Sequence, residues 1–246
     1  MHRCRSHLKL DTKAFRNIVV LTGAGISAGS VLRTYRGADG LWNEMDPESF
    51  STLEGFKRDP LRVWRFYSDV RDAVLAAEPN AAHRSLAKMP LAAGASLTLI
   101  TQNVDALHQR AGSVEVVELH GTACRTKCSN AACRLVPFED TSVHRKEVPL
   151  CRQCGSPLRP DVTFFGEMLP MHAAMRAKRA LRDCDLFLAI GTSGTVSPAS
   201  EYVRSADYVG AKTLYINLEP LATPNRYFHQ SVLGRAEDVL SSMLGG

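Results

Sequence analysis

The chain has 246 residues, 45% of them hydrophobic and 22% charged, with a formal net charge of +5 at pH 7. That is the make-up of a globular protein with room for a sizeable core, and its mild basic excess falls short of a nucleic-acid-binding signature. No apolar run approaches the roughly 18–20 residues that span a bilayer, and the basic N-terminus MHRCRSHLKL lacks the apolar core of a secretory signal. A cytoplasmic protein is expected, with no membrane association and no direct nucleic-acid partner.

After a lead-in over residues 1–16, Asn17 to Leu21 (NIVVL) has the pattern of a short buried strand, and Thr22-Gly-Ala-Gly-Ile-Ser27 follows at once. Glycines directly after a strand let the backbone turn tightly and approach a pyrophosphate, whose charge then faces the N–H groups opening the next helix. Gly23, Gly25 and Gly29 are spaced one residue longer than the usual fingerprint, and a plain strand-to-helix turn accounts for them equally well. Residues 30–56 mix glycine, aromatics and charge, as binding loops and lids do, with Arg36 a candidate phosphate or substrate partner. Residues 60–77 form a predicted helix with Pro60 in its first turn and apolar side chains at helical spacing. Pro79 breaks it and, with Asn80, heads another, in which His83 reads as a packed or capping residue.

Leu97 to Ile100 reads as a second buried strand, ending in Gln102-Asn103-Val104-Asp105, and Val114 to Leu119 as a third, ending in His120-Gly121. Ligands in open α/β sheets bind beyond the carboxyl ends of strands, so amide, carboxylate and imidazole groups there predict a functional spot.

Residues 122–160 are polar and carry Cys128 and Cys133, then Cys151 and Cys154. A stretch with so few apolar positions needs a staple, and two cysteine pairs suit a tetrahedral, four-sulfur, structural zinc site. Cys124 competes with Cys128 as a ligand; Cys4 and Cys184 read as free.

In the last third, Asp161 to Phe165 reads as a strand or extended edge ending in Gly166-Glu167, and 171–182 as a helix. Residues 184–191 are a strongly apolar strand followed by Thr192-Ser193-Gly194, and Pro198 opens a helix. Thr213 to Asn217 is a strand finishing in Asn217 and Glu219, and 236–244 a closing helix. Four strands thus end in TGAGIS, TQNVD, GTSG and INLE. A doubly wound parallel α/β sheet gathers all four at one edge, where they can line a dinucleotide site.

Taken together, GAGIS (23–27), TYRG (34–37), TQNVDALH (101–108), HG (120–121), the two cysteine pairs, FGE (165–167), GTS (191–193) and NLEP (217–220) resemble the sirtuin family of NAD-dependent protein-lysine deacylases. The resemblance implies one catalytic domain over 1–246: a Rossmann-like doubly wound sheet into which a helical and cofactor-loop module (38–78) and a zinc module (122–160) are inserted. It further implies NAD and one structural zinc ion as cofactors and acylated protein lysines as substrates; a monomer is expected. Gly23, Ala24, Gly25 and Ser27 would hold the pyrophosphate region, and Tyr35 and Arg36 would belong to a mobile cofactor loop. Gln102, Asn103 and Asp105 would line the nicotinamide and ribose pocket, Asn103 and Asp105 sharing in catalysis with His120, the general base. Gly191, Thr192, Ser193, Asn217 and Glu219 would take the phosphate and adenosine side. The acylated peptide would pair its backbone with Phe165-Gly166-Glu167 on one side and 194–197 on the other.

The sequence looks closest to the bacterial class III branch, in which a Tyr-x-x-Arg pair binds succinyl or malonyl carboxylates. Ala38 and Tyr67 match that branch, but Val70 stands at the arginine position and Arg71 follows one residue late, so the resemblance implies a deacetylase more than a desuccinylase. Gly29, Val31, Leu32 and Arg33 stand where the family usually shows an acid and a Gly-Ile-Pro-like run. A protein ADP-ribosyltransferase and a catalytically weak NAD-binding sensor are the alternative readings.

Overall fold

The computed structural model describes residues 9–34, 40 and 43–244. Strands β1 (Asn17–Thr22), β2 (Ser96–Thr101) and β3 (Val116–Glu118) open a parallel sheet. The chain leaves it for an antiparallel sheet of β4 (Gly121–Cys128), β5 (Phe138–Glu139) and β6 (Leu158–Val162). It returns through β7 (Leu186–Ile190), β8 (Lys212–Asn217) and β9 (Gln230–Leu233), giving the parallel order β3-β2-β1-β7-β8-β9. Connections run outward in both directions from the β1–β7 pair. That reversal opens a crevice at the strands' carboxyl ends.

The β1 sequence NIVVLT is apolar on both faces because helices cover both. Ile18 and Val20 pack with Leu188 and Leu214 beneath helices α4 (Ala81–Ala87) and α8 (Ala236–Leu244). Val19 and Leu21 pack with Phe187 and Tyr215 beneath α6 (Met171–Arg182) and α7 (Tyr202–Tyr208). The sheet is therefore doubly wound.

Between β1 and β2 lie the short helices α1 (Pro47–Phe50) and α2 (Leu53–Arg58) and the long α3 (Pro60–Ala76). Asp59 caps α3 by accepting from Arg62 N, and Pro60 occupies its first turn, where a missing N–H costs nothing. Its Val63, Trp64 and Tyr67 meet Cys151, Leu158, Val162 and Phe164 in a second core, and Trp64 Nε1 donates to Leu158 O at 2.8 Å.

The structure departs from the sequence reading in four places, one of them β9, a strand of the parallel sheet that the reading did not include. The turn after β1 winds as a 3-10 helix over Ala24–Ser30, since two glycines favour a tighter, shorter turn over a regular α-helix. Residues 122–160 are more ordered than their polarity suggests: β4 and β6 pair there, and Ala123 and Thr126 are buried. The strand expected over 161–165 is β6, shifted toward the N-terminus and carrying Arg159 inward, 3% exposed.

Candidate active site

The loops after β1 and β7 interlock backbone to backbone. Gly23 N donates to Ile190 O at 3.0 Å and Gly25 N to Gly191 O at 2.8 Å. Gly191 has φ +62°, and a Cβ there would run into Ile26 N; a Cβ on Gly25 would lie 2.8 Å from Gly191 Cα. The result is a cradle that only glycine permits, with no side chain capping the start of the 3-10 turn at Ala24. A helical turn opened by glycine, with no side chain over its first residues, fits the diphosphate of a dinucleotide.

Beyond β2, Gln102 Nε2 donates to Thr192 Oγ1 at 3.0 Å and so ties this strand end to that of β7. Asn103 is 6% exposed, and its Nδ2 donates to Gly23 O, Ser27 Oγ and Asp105 Oδ2 at 3.1–3.2 Å. Those bonds all run into the protein wall, which leaves the carboxamide oxygen as the atom to offer a ligand. Ser27 Oγ donates to Asp105 Oδ2 at 2.7 Å, and Asp105 Oδ1 accepts from Leu107 N, heading the short helix α5 (Leu107–Arg110). His83 caps α4 and reaches Ser27 Oγ with Nε2 at 3.4 Å; its ring lies 4.8 Å from that of His108.

His120 follows β3. Its Nδ1 lies 2.9 Å from Gln102 O, and a carbonyl can only accept, so Nδ1 carries the proton and Nε2 is a free base. Burial pulls its pKa below the ordinary 6.5, against the opposing pull of the Gln102 carbonyl. The ring is therefore neutral at physiological pH.

These groups open on one cleft of about 1100 Å³. Gly23, Ala24, Gly25, Gln102, Asn103, His120, Gly191, Thr192, Ser193, Asn217 and Glu219 line it, as do Tyr67, Phe165, Gly166 and Glu167. Ser27 and Asp105 stand behind Asn103 and do not reach the cleft surface, being 2% and 6% exposed. Asn217 Nδ2 donates to Tyr215 OH at 2.7 Å, and Tyr215 OH to Thr192 O at 3.0 Å, which rigidifies the β8 side. Tyr67 is buried against Phe164, with burial raising its pKa to about 12, so it is a neutral hydroxyl in this wall. Tyr35, Arg36 and Ala38 lie outside the described residues.

Arg71 is the one substrate residue that the structure removes. Its side chain is fully buried, donating to Ala123 O at 2.8 Å, Ser142 O at 2.5 Å and Thr126 Oγ1 at 2.8 Å. It pairs with Asp140 at 3.1 Å. Four residues along a helix from Tyr67 the side chain leaves the backbone only about 40° off the same face, so it is the carbonyls of β4, and not the turn of the helix, that hold the guanidinium out of the cleft. Arg71 braces the cysteine module and takes no part in the cleft.

Cys128, Cys133, Cys151 and Cys154 bring their Sγ atoms within 4.8 Å of one another, and the pairs 128–154 and 133–151 stand 3.5 and 3.7 Å apart. These gaps are far beyond a disulfide bond and match the roughly 3.8 Å edge of a tetrahedron with Zn–S bonds of about 2.3 Å. Four sulfurs close the shell, so the ion would be structural. Cys124 is outside this cluster, half-buried near Arg71, which resolves the competition with Cys128.

The Sir2 family model matches residues 23–198. The chain belongs to the Sir2 family. It is 46% identical over 231 residues, 93% of this chain and 90% of the other, to NAD-dependent protein deacylase 2 of Pyrobaculum aerophilum. A solved complex of a Sir2 homologue with NAD aligns with a TM-score of 0.86 at 36% identity, covering 98% of this chain and 95% of that one. A Sir2 protein bound to a myristoylated histone peptide aligns with a TM-score of 0.73 at 32% identity, over 95% and 92% of the two chains.

Two groups of cleft residues in this sirtuin carry no sequence signal. Val104, Val162 and Phe164 form an apolar wall near His120, and single apolar residues at strand ends do not announce themselves. Arg235 and Glu237 enter from the start of α8, a helix whose own pattern speaks only of packing.

Proposed function

We propose that this chain is an NAD-dependent protein-lysine deacylase with His120 as its general base. The observation that carries this reading is the His120 ring itself. Its Nδ1–H is pinned by the Gln102 carbonyl and its Nε2 is unprotonated, in a cleft that also contains the glycine cradle. Bound NAD would supply an electrophilic ribose carbon, nicotinamide as its leaving group, and the ribose hydroxyls that receive the acyl group.

The chain's own residues supply the rest. His120 Nε2 takes a proton from a ribose hydroxyl, the kind of transfer that a neutral imidazole performs near pH 7. Asn103 presents its carboxamide oxygen, with Ser27 and Asp105 holding the amide from behind. Gln102 and Thr192, joined across the loops, fix the width of the pocket. Val104, Val162 and Phe164 exclude water from the reacting centre. The exposed Phe165-Gly166, with half-buried Glu167 behind them, and the 194–197 loop leave room between them for an extended acyl-lysine peptide.

A neutral acyl group suits this wall. Arg71 is committed to the cysteine module, and Arg159 is held by both oxygens of Glu167 at 2.7 and 2.9 Å. Among the described residues, no guanidinium near Tyr67 is left to receive a carboxylate, and desolvating a succinyl group without one costs several kcal/mol. The test is nicotinamide release from one peptide carrying acetyl-lysine or succinyl-lysine, with His120→Ala beside the native chain. Acetyl turnover that disappears in His120→Ala while NAD still binds is expected. Undiminished turnover by the variant refutes the role of His120, and transfer of ADP-ribose to protein in place of acyl-ADP-ribose refutes the activity.

A further inference from the structure

Gly29 has no conformational reason to be glycine, because its backbone is outside the left-handed region. The reason is space. A Cβ there would sit 2.7 Å from Glu237 Oε1, 3.0 Å from Cδ and 3.2 Å from Oε2, so the Glu237 carboxylate lies flat against the bare backbone. Thus α8 delivers an acid to the very turn in which the usual family acid is missing.

Glu237 in turn holds Arg235, accepting from its Nε at 2.7 Å. That bond uses the inner edge of the guanidinium and leaves its two terminal nitrogens without a protein partner among the described residues. Both side chains line the cofactor cleft, Arg235 being 61% exposed and Glu237 18%. The charged side chains lining this cleft, among the described residues, are Arg33, Glu167, Glu219, Arg235 and Glu237. Arg33 gives both terminal nitrogens to Glu44 at 3.0 and 2.6 Å. A dinucleotide brings two phosphate charges into this cleft, and Arg235 turns both terminal nitrogens toward it.

We propose that Arg235, aimed by Glu237 from its seat against Gly29, is a ligand for the dinucleotide's phosphates in this chain. The assignment rests on the NAD-dependent reading above. A guanidinium anchored through Nε presents its outer edge as a planar pair of donors, the geometry that phosphate oxygens accept. Glu237 is a positioning residue: it touches Arg235 and the turn, and it fixes where that edge points.

The experiment is calorimetric binding of ADP-ribose and of adenosine, which lacks phosphates, to the native protein and to Arg235→Gln, Arg235→Lys and Glu237→Gln. Arg235→Gln should weaken ADP-ribose about tenfold, leave adenosine within about twofold, and flatten the salt dependence. Arg235→Lys should recover part of the loss. Glu237→Gln, an isosteric change against Gly29, should lose less than Arg235→Gln and add nothing to it in the double variant. Unchanged ADP-ribose affinity in Arg235→Gln, or equal weakening of adenosine, overturns the assignment. A native chain that binds no ADP-ribose overturns the NAD reading itself, so the two failures are distinguishable.

Discussion

Replacing Arg71 by Met tests whether this guanidinium is a brace or an acyl-binding group. The change keeps most of the side chain's bulk above Trp64, whose ring lies 5.1 Å from the guanidinium carbon, and removes every donor. Left behind are the carbonyls of Ala123 and Ser142, the Thr126 hydroxyl and the Asp140 carboxylate, only 11% exposed. Burial alone would raise the Asp140 pKa, yet Thr126, Ser142 N–H and Arg71 together hold it down at about 2. Breaking a buried, hydrogen-bonded pair from one side costs about 3–5 kcal/mol. For a chain of this size, about 2–4 °C per kcal/mol puts the melting temperature down by about 6–20 °C. The sign with pH follows from the depressed carboxylate. Native stabilisation by this pair holds above the unfolded carboxylate's pKa and is lost as pH falls toward 2, whereas the variant, without the Arg71 charge, should lose less stability over that window. Scanning calorimetry of the zinc-loaded protein, with chelator-monitored zinc release, measures both effects. At a temperature where the variant is folded, its acetyl-to-succinyl ratio should equal that of the native chain. A shifted ratio with an unshifted melting temperature would refute the brace and return Arg71 to the acyl pocket.

Three further outcomes can be checked directly. Gly191→Ala adds a Cβ that meets Ile26 N and forces alanine to φ +62°, so ADP-ribose binding should vanish and stability fall by about 2–5 kcal/mol in denaturant titration. Val31 is 93% exposed yet sits at φ 63°, a β-branched residue in left-handed backbone. Val31→Gly should raise stability by about 0.5–1 kcal/mol, since relief of about 1–2 kcal/mol outweighs glycine's own entropy; an unchanged midpoint refutes the strain. Burial lowers the pKa of His83 to about 4 and of His108 to about 3, the latter also through the charge of His83. Their unfolded forms take up protons first, so unfolding free energy should fall as pH drops from 6.5 toward 4, and a flat profile in that window argues against the buried pair.

The inner strands of the sheet were legible because they are buried on both faces and end abruptly in polar clusters, as Ile100-Thr101-Gln102 does, whereas β9, with every other residue exposed, was not. The cleft lining was legible for the same reason: glycines, amides and imidazole at strand ends have few structural uses. The fate of Arg71 was not. An arginine on a helix looks solvated from its neighbours in sequence, and the acceptors that bury it come from 52 residues downstream at Ala123 O and further still at Asp140 and Ser142. Ser27 and Asp105 carry a subtler lesson, since their residue types suggest direct contact while their hydrogen bonds are spent on Asn103. Gly29 and Glu237 are 208 positions apart, and no local pattern links a missing side chain to the one that fills its place.

His120 stands in the two-residue linker between an edge strand of the parallel sheet, β3, and the first strand of the antiparallel one, β4. Its carbonyl accepts from Thr163 N at 2.9 Å, beyond β6. The imidazole thus belongs to both bodies at once. The cradle can stay constant while residues 122–165 diversify, because new substrates alter one bank of the cleft and the His120 imidazole is anchored to the other through Gln102. A chain built this way can change its diet without relearning how to hold its cofactor.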